Sequence, residues 1–368
     1  MKAIIMAGGF GTRLRPLTIN IPKPMVPIGT IPMMEHVVNL LKKNGFNDLI
    51  SLLFFQAEEI KNHFGDGRKF GVKMEYLEPT EDYGTAGAVR YAESFIDETI
   101  LVISGDVLTD FDLEQAVQWH QEKSSDATIL LARVENPLPY GIVIINDESR
   151  IVRFLEKPSW GEAFSDTINT GIYILEPHTV RLIPPKANFD FSQNLYPLML
   201  SKKMGLYGMV TDGYWKDVGN IDEYARAHHD LLSGEINLEL GLEKKQLGEA
   251  QVFQGKNVQL GNNLELTGVV IIGDNAAIAD GAKIDNSVIG SRTRVGEGAE
   301  INNCVIWSDS RIGAKSRLNR SIVCNRVRVG DNVVLLDNVI VSDDSLVGNG
   351  ATVKANCKIW PAKSVDEG

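Results

Sequence analysis

Short apolar runs and amphipathic stretches alternate along the chain as far as about Leu232. "KAIIM", "DLISLLFF", "TILVISGD" and "DATILLARV" are brief, rich in branched aliphatics and bounded by polar residues or glycine, as strands buried on both faces are. Between the first two lies "MMEHVVNLLKKNG", where Met34, Val37, Val38 and Leu41 recur at helical spacing and Gly45 supplies a stop. This alternation predicts parallel strands joined by crossover helices. The later runs "GIVIIND", "RIVRFLEKP" and "GIYILEP" lie closer together, which predicts added antiparallel strands and hence an α/β, mixed-sheet first half.

The grammar changes after "SGEINLELGLEKKQLGEA", a polar stretch read as helix or linker. Stepping seventeen residues from Ile272 gives Ile289, Ile306, Val323 and Ile340, all aliphatic. A second ladder runs Ile278, Val295, Ile312, Val329 and Val347, and a third runs Ile284, Ile301, Leu318, Leu335 and Val353. Three columns at one period predict a triangular parallel β-helix, in which each coil buries its aliphatics only by stacking on its neighbours. Glycine follows the aliphatic at Gly273, Gly290, Gly296, Gly313, Gly330 and Gly348, which suggests corners needing positive φ. The pattern resembles the left-handed β-helix of hexapeptide-type repeats. The expected organisation is a domain over 1–235, a linker over 236–250 and a β-helix over 251–368.

A chain of 368 residues with two such halves has ample length for two cores. Its net charge of −11 argues against nonspecific attraction to nucleic acid or anionic membrane. Yet residues 1–34 hold Lys2, Arg13, Arg15 and Lys23 and no acid, a cationic island suited to a small anion. Cys304, Cys324 and Cys357 are too few and too scattered for a disulfide framework or a zinc motif, so they read as thiols of a reducing compartment. No signal peptide or membrane-spanning run is evident, and a cytoplasmic location is expected.

The loop "GGFGTRLRPLTINIPKP" directly follows the first strand, where α/β sheets bind ligands. Gly8, Gly9 and Gly11 do not match a dinucleotide fingerprint, and no P-loop lysine follows. Glycines still let backbone N–H groups approach phosphate, Arg13 adds a permanently charged fork, and Lys23 is a second cation held between two prolines.

That loop resembles the signature of sugar-1-phosphate nucleotidyltransferases, the nucleotide-sugar pyrophosphorylases. "YGTAGAV", "SGDV", "FLEKP", "INTGIYILEP" and "YWKDVGN" match in order, and "GTAGAV" and "FSDTINTGIYILEP" are most similar to mannose-1-phosphate guanylyltransferases. The resemblance implies a Rossmann-like nucleotidyltransferase domain ahead of the β-helix. It implies transfer of a nucleotidyl group from GTP to mannose 1-phosphate, giving GDP-mannose and pyrophosphate. Alternatives are a glucose- or heptose-1-phosphate enzyme using another nucleoside triphosphate, or a noncatalytic regulatory subunit that binds nucleotide sugar.

By the same resemblance, Gly8, Gly9, Gly11 and Thr12 would cradle the triphosphate, with Arg13 and Lys23 neutralising the leaving pyrophosphate. Gly84 and Thr85 would face the nucleobase, where Tyr83 replaces an expected leucine. Asp106 and Asp217 would hold Mg2+. Lys157 would grip the sugar phosphate, while Glu156, Asn169 and the backbone at Gly141 would bond sugar hydroxyls. The chemistry suits these residue types: a phosphate monoester with a second pKa of about 6 is already a nucleophile at neutral pH, so no general base is required. Repulsion between two polyanions must instead be overcome by fixed cations, a hard metal and positioning. All six histidines precede residue 230, whereas β-helix acyltransferases of this repeat type rely on a histidine base. The second half therefore reads as structural, regulatory or oligomerising, and a homo-oligomer is expected.

Overall fold

The computed structural model describes residues 1–156 and 165–368, together forming two compact units. The first comprises Met1–Phe10, Pro22–Met25 and Met33–Val218; the second comprises Gly11–Ile21, Val26–Pro32 and Gly219–Gly368. The unit boundary thus falls just ahead of the helix Ile221–Ser233, and the loop after the first strand contributes to both units.

In the first unit, Lys73–Leu77, Asp48–Leu53, Lys2–Ala7 and Ile100–Ser104 lie side by side as a parallel core. Thr167–Leu175 then adds antiparallel to Ile100–Ser104, and Gly141–Ile145 and Ile151–Glu156 extend that edge. Ala127–Arg133 pairs antiparallel with Thr167–Leu175 and parallel with Leu206–Val210, completing the mixed sheet. The helix Met33–Lys43 buries Met34, Val37, Val38 and Leu41 against the core. Gly45 ends it in a left-handed conformation, its N–H donating to the Lys42 carbonyl at 3.0 Å. Among the described residues no helix is long and apolar enough to cross a membrane.

The second unit stacks parallel strand pairs into a β-helix with three inward columns. Two run as the sequence predicts, through Ile278, Val295, Ile312, Val329 and Val347 and through Ile284, Ile301, Leu318, Leu335 and Val353. The third departs at its last member. Val323 pairs with Val341, not Ile340, because the corner after Leu335 is one residue longer than its predecessors and leaves Leu336 exposed. Ile340 consequently points outward beside Ile322.

The corner glycines also serve a different purpose from the one expected. At these corners the left-handed residues are Asn275, Arg292, Gly298, Lys315, Asn332 and Gly350, each two residues beyond a glycine of the ladder rather than the glycine itself. The ladder glycines are required by close approach: a Cβ on Gly296 would lie 2.6 Å from the Ala314 amide nitrogen of the next coil. Glu243–Leu247, in the stretch read as linker, forms an antiparallel hairpin with Ala250–Gln254. Gly248, at φ +60°, permits the tight turn between them.

His228 and His229 diverge as adjacent helical residues must. His228 is buried, its Nε2 accepting from the Gly29 amide at 3.2 Å, whereas His229 is exposed. Cys304 and Cys324 are buried and free, and Cys357 is exposed and free.

Candidate active site

A cavity of about 510 Å³ opens at the carboxyl ends of the parallel strands in the first unit. Gly8 and Gly9, immediately after Lys2–Ala7, line it together with Lys23, Gly84, Thr85, Ser104 and Asp106. A Cβ on Gly9 would meet nothing within 4 Å, so its backbone faces open space that a phosphate could enter. Gly84 occupies a left-handed conformation at φ +67°, its N–H donating to Asp82 Oδ1 at 2.9 Å. A Cβ there would sit 2.9 Å from the Phe189 carbonyl oxygen, which explains why this position takes only glycine.

The charged centre is built by three elements distant in sequence. Lys23 belongs to a single helical turn, Lys23–Met25, closed by the Met25 N–H to the Pro22 carbonyl at 2.9 Å. Asp106 sits between Ile100–Ser104 and the short strand Val107–Thr109. Trp215–Asp217 pairs antiparallel with Val107–Thr109, and its register sets Asp217 opposite Val107, next to Asp106. The Lys23 ammonium lies 2.6 Å from Asp106 Oδ2 and 3.1 Å from Asp217 Oδ1. The Ser104 hydroxyl donates to the other Asp106 oxygen at 2.5 Å.

Burial opposes both charges here, and the pairing overrides it. Desolvation would lower the pKa of Lys23, which is only 8% exposed, but the two carboxylates hold it above its ordinary value. Desolvation likewise pushes Asp106 upward, while Lys23 and the Ser104 hydroxyl more than offset this and keep it below the usual carboxylate range. Asp106, on the cavity lining, and Asp217 converge on the Lys23 ammonium, and such a pair of carboxylates is the kind of oxygen donor set that fits a hard divalent cation.

The remaining sequence-derived positions fall in several places. Gly141 and Glu156 oppose each other in one β-ladder, and Asn169 lies on the neighbouring strand, so these three share one end of the sheet. Asn169 donates to the Tyr173 hydroxyl at 3.1 Å and accepts from the Gly171 amide at 3.0 Å. Lys157 lies outside the described residues, and so does the side chain of Glu156. Gly11, Thr12 and Arg13 belong to the second unit, where Gly11 is left-handed at φ +61° and Arg13 is exposed.

Sequence reasoning missed Asp190 and Gln193, which line the cavity alongside Tyr83. Asp190 accepts from the Thr85 hydroxyl at 2.7 Å and caps the turn Phe191–Leu195 through the Ser192 and Gln193 amides. Its only local signal is that of a cap, which conceals its contact with a residue more than a hundred positions earlier. Tyr83 is buried, with its ring stacked on Tyr91 at 6.1 Å.

Glycine-exposed backbone, a buried lysine and paired carboxylates at the ends of parallel strands define an enzyme site for phosphate transfer. The chain belongs to the nucleotidyl transferase family, whose profile matches residues 2–234. The profile of the EIF2B subunit epsilon LbH domain matches residues 249–361. A UTP–glucose-1-phosphate uridylyltransferase from Synechocystis is 38% identical over 301 residues, covering 77% of this chain and 76% of that protein. A mannose-1-phosphate guanylyltransferase from Mycobacterium tuberculosis is 32% identical over 291 residues, covering 78% and 79% respectively. The crystal structure of HddC from Yersinia pseudotuberculosis complexed with GMP-PN superimposes with a TM-score of 0.53 at 28% identity, covering 61% of this chain and 97% of that one.

Proposed function

We propose that this enzyme transfers a guanylyl group from GTP to mannose 1-phosphate, releasing pyrophosphate and forming GDP-mannose, with Mg2+ held by Asp106 and Asp217. The observation that carries this reading is the meeting of Lys23, Asp106 and Asp217, with Lys23 and Asp106 lining the same cavity as Gly8 and the open backbone of Gly9. The guanylyltransferase relatives and the guanine nucleotide in the HddC complex support the choice of base.

In this mechanism the sugar phosphate needs no deprotonation, and the protein's task is to bring two polyanions together. Backbone amides of the Gly8–Gly9 segment cradle the triphosphate, while Lys23 takes up the negative charge that grows on the departing pyrophosphate. The base occupies the part of the cavity lined by Tyr83, Gly84 and Thr85. Asn169, Glu156 and the Gly141 backbone orient the sugar, with Lys157 on its phosphate. When bound, Mg2+ supplies charge neutralisation at the phosphoryl oxygens. The reading includes a cytoplasmic location and a homo-oligomer, whose contacts the flat sides and open end of the β-helix can supply.

The uridylyltransferase relative at 38% identity favours a second reading, UTP with glucose 1-phosphate. Four nucleoside triphosphates crossed with mannose, glucose and heptose 1-phosphates, scored by pyrophosphate release, decide between them. Highest kcat/KM with GTP and mannose 1-phosphate is expected. Preference for UTP and glucose 1-phosphate would replace the first reading by the second, and silence across the panel would refute both.

A further inference from the structure

The chain on either side of Lys23 belongs to the second unit: Gly11–Ile21 and Val26–Pro32 flank the short stretch Pro22–Met25 that belongs to the first. Lys23 is three residues beyond Asn20 and four ahead of Pro27, so covalent continuity alone limits how far its backbone can stray once those neighbours are fixed. Both are fixed by side chains of the second unit. Ahead of Lys23, the Asn20 amide donates to Asp343 Oδ2 at 3.2 Å, and the buried Ser342 hydroxyl donates to the Pro16 carbonyl at 3.1 Å. The Thr18 hydroxyl closes this stretch on itself by donating to the Gly11 carbonyl at 2.7 Å. Behind Lys23, the Tyr224 hydroxyl donates to the Pro27 carbonyl at 3.0 Å and accepts from Trp307 Nε1 at 2.8 Å.

These anchors sit where the β-helix departs from its own pattern. At one corner the residue after the inward aliphatic is glycine in four successive coils, Gly296, Gly313, Gly330 and Gly348. At another it is Gly273 and Gly290 and then Trp307, Cys324 and Ser342. Stacking of coils requires neither an indole nor a hydroxyl there, and these are the two side chains that reach Tyr224 and Pro16. Asp343 departs in the same way. Its Oδ1 accepts from the Asn325 amide of the preceding coil at 2.8 Å, a corner bond that Asp280 and Asp331 also make from exposed positions. Asp343 is only 2% exposed, and burial holds its carboxyl above the usual carboxylate range. The bond between coils does not need that burial. What sets Asp343 apart is its second oxygen, which bonds a residue more than three hundred positions earlier.

We propose that Asp343 and Ser342 are positioning residues for Lys23. Together they fix the stretch ahead of this lysine, while Trp307 and Tyr224 fix the stretch behind it, so the ammonium stays where negative charge grows on the departing pyrophosphate. The proposal rests on the role given to Lys23 in the proposed reaction. None of the four lines the catalytic cavity, and each acts through Asn20, Pro16 or Pro27. Their release costs turnover more than sugar-phosphate binding, because a displaced cation loses most where charge develops in the transition state.

The double variant Asn20→Ala/Ser342→Ala removes both anchors ahead of Lys23 without adding bulk or charge. Hydrogen–deuterium exchange of the free full-length protein, read by mass spectrometry, and steady-state rates with GTP and mannose 1-phosphate follow its two consequences. Exchange should quicken at least about tenfold at the Leu14, Leu17 and Met25 amides, which close the turns of this stretch, and stay unchanged in the strands of the β-helix. The kcat should fall at least about tenfold, with the KM for mannose 1-phosphate within about twofold of the parent. The reciprocal exchange Asn20→Asp with Asp343→Asn keeps one donor facing one acceptor at the same net charge, and should hold kcat within about twofold of the parent. Unchanged exchange in the stretch, faster exchange at parental kcat, or a reciprocal variant as slow as Asn20→Ala alone overturns the proposal. If the parent proves most active on another nucleotide and sugar phosphate, and the variants behave as described on that pair, the anchors stand and guanylyl transfer to mannose 1-phosphate is the reading that fails.

Discussion

Replacing Lys23 by methionine removes a buried charge while nearly preserving volume, and leaves Asp106 and Asp217 facing each other without a cation. Breaking a buried ion pair by deleting one partner costs about 3–5 kcal/mol. The low end, about 3 kcal/mol, applies here, because the two carboxylates retain 25% and 29% of their side-chain exposure and water can screen them. The pH dependence has a definite sign. Asp106 titrates below its ordinary value of 3.8, so its stabilisation is present above that value and is lost as pH falls through the lower folded value. Lys23 titrates above 10.5, so its contribution is complete below that pH and disappears only as pH rises further. The stability gap between parent and Lys23→Met should therefore be level from about pH 5 to 10 and should narrow in acid. Urea denaturation followed by far-ultraviolet circular dichroism across this range reads the gap. A difference under about 1 kcal/mol at pH 7.5, the scale of an exposed pair, or a gap that widens in acid, would refute the account of the buried triad.

Other substitutions probe separate parts of the argument. Asp106→Asn keeps the shape but removes a metal-binding charge, and should lower kcat at least about a hundredfold with an unchanged fold; near-parent rates in saturating magnesium would displace the metal site. Lys157→Ala should raise the KM for sugar phosphate far more than that for the triphosphate, and equal changes in both would contradict its role. Tyr224→Phe leaves the buried Trp307 Nε1–H without the hydroxyl that now accepts from it at 2.8 Å, for a loss of about 1–3 kcal/mol in chemical denaturation. Gly296→Val drives a side chain into the Ala314 amide of the next coil and should cost at least about 2 kcal/mol, and a silent substitution would show that the coils are less tightly stacked.

The sequence by itself determined the class of each half. Alternating apolar runs specify a mixed sheet, and a seventeen-residue period specifies stacked coils, because both patterns repeat within a short window and reflect which faces must leave water. It also determined the kinds of side chain available for chemistry: glycines after the first strand, a lysine between prolines and aspartates at strand ends. Only the tertiary structure decided which of them meet. Asp217 reaches Lys23 and Asp106 through the register of one short strand against Val107–Thr109, and Asp190 reaches Thr85 across two segments far apart in the chain. Register and crossing depend on the packing of the whole sheet, so no local pattern encodes them. The same holds in the β-helix, where one extra residue after Leu335 moves Val341 inward and turns Ile340 outward. A period-two strand reverses every side chain when its register shifts by one, and that is why a ladder read from spacing alone places its last rung on the wrong face.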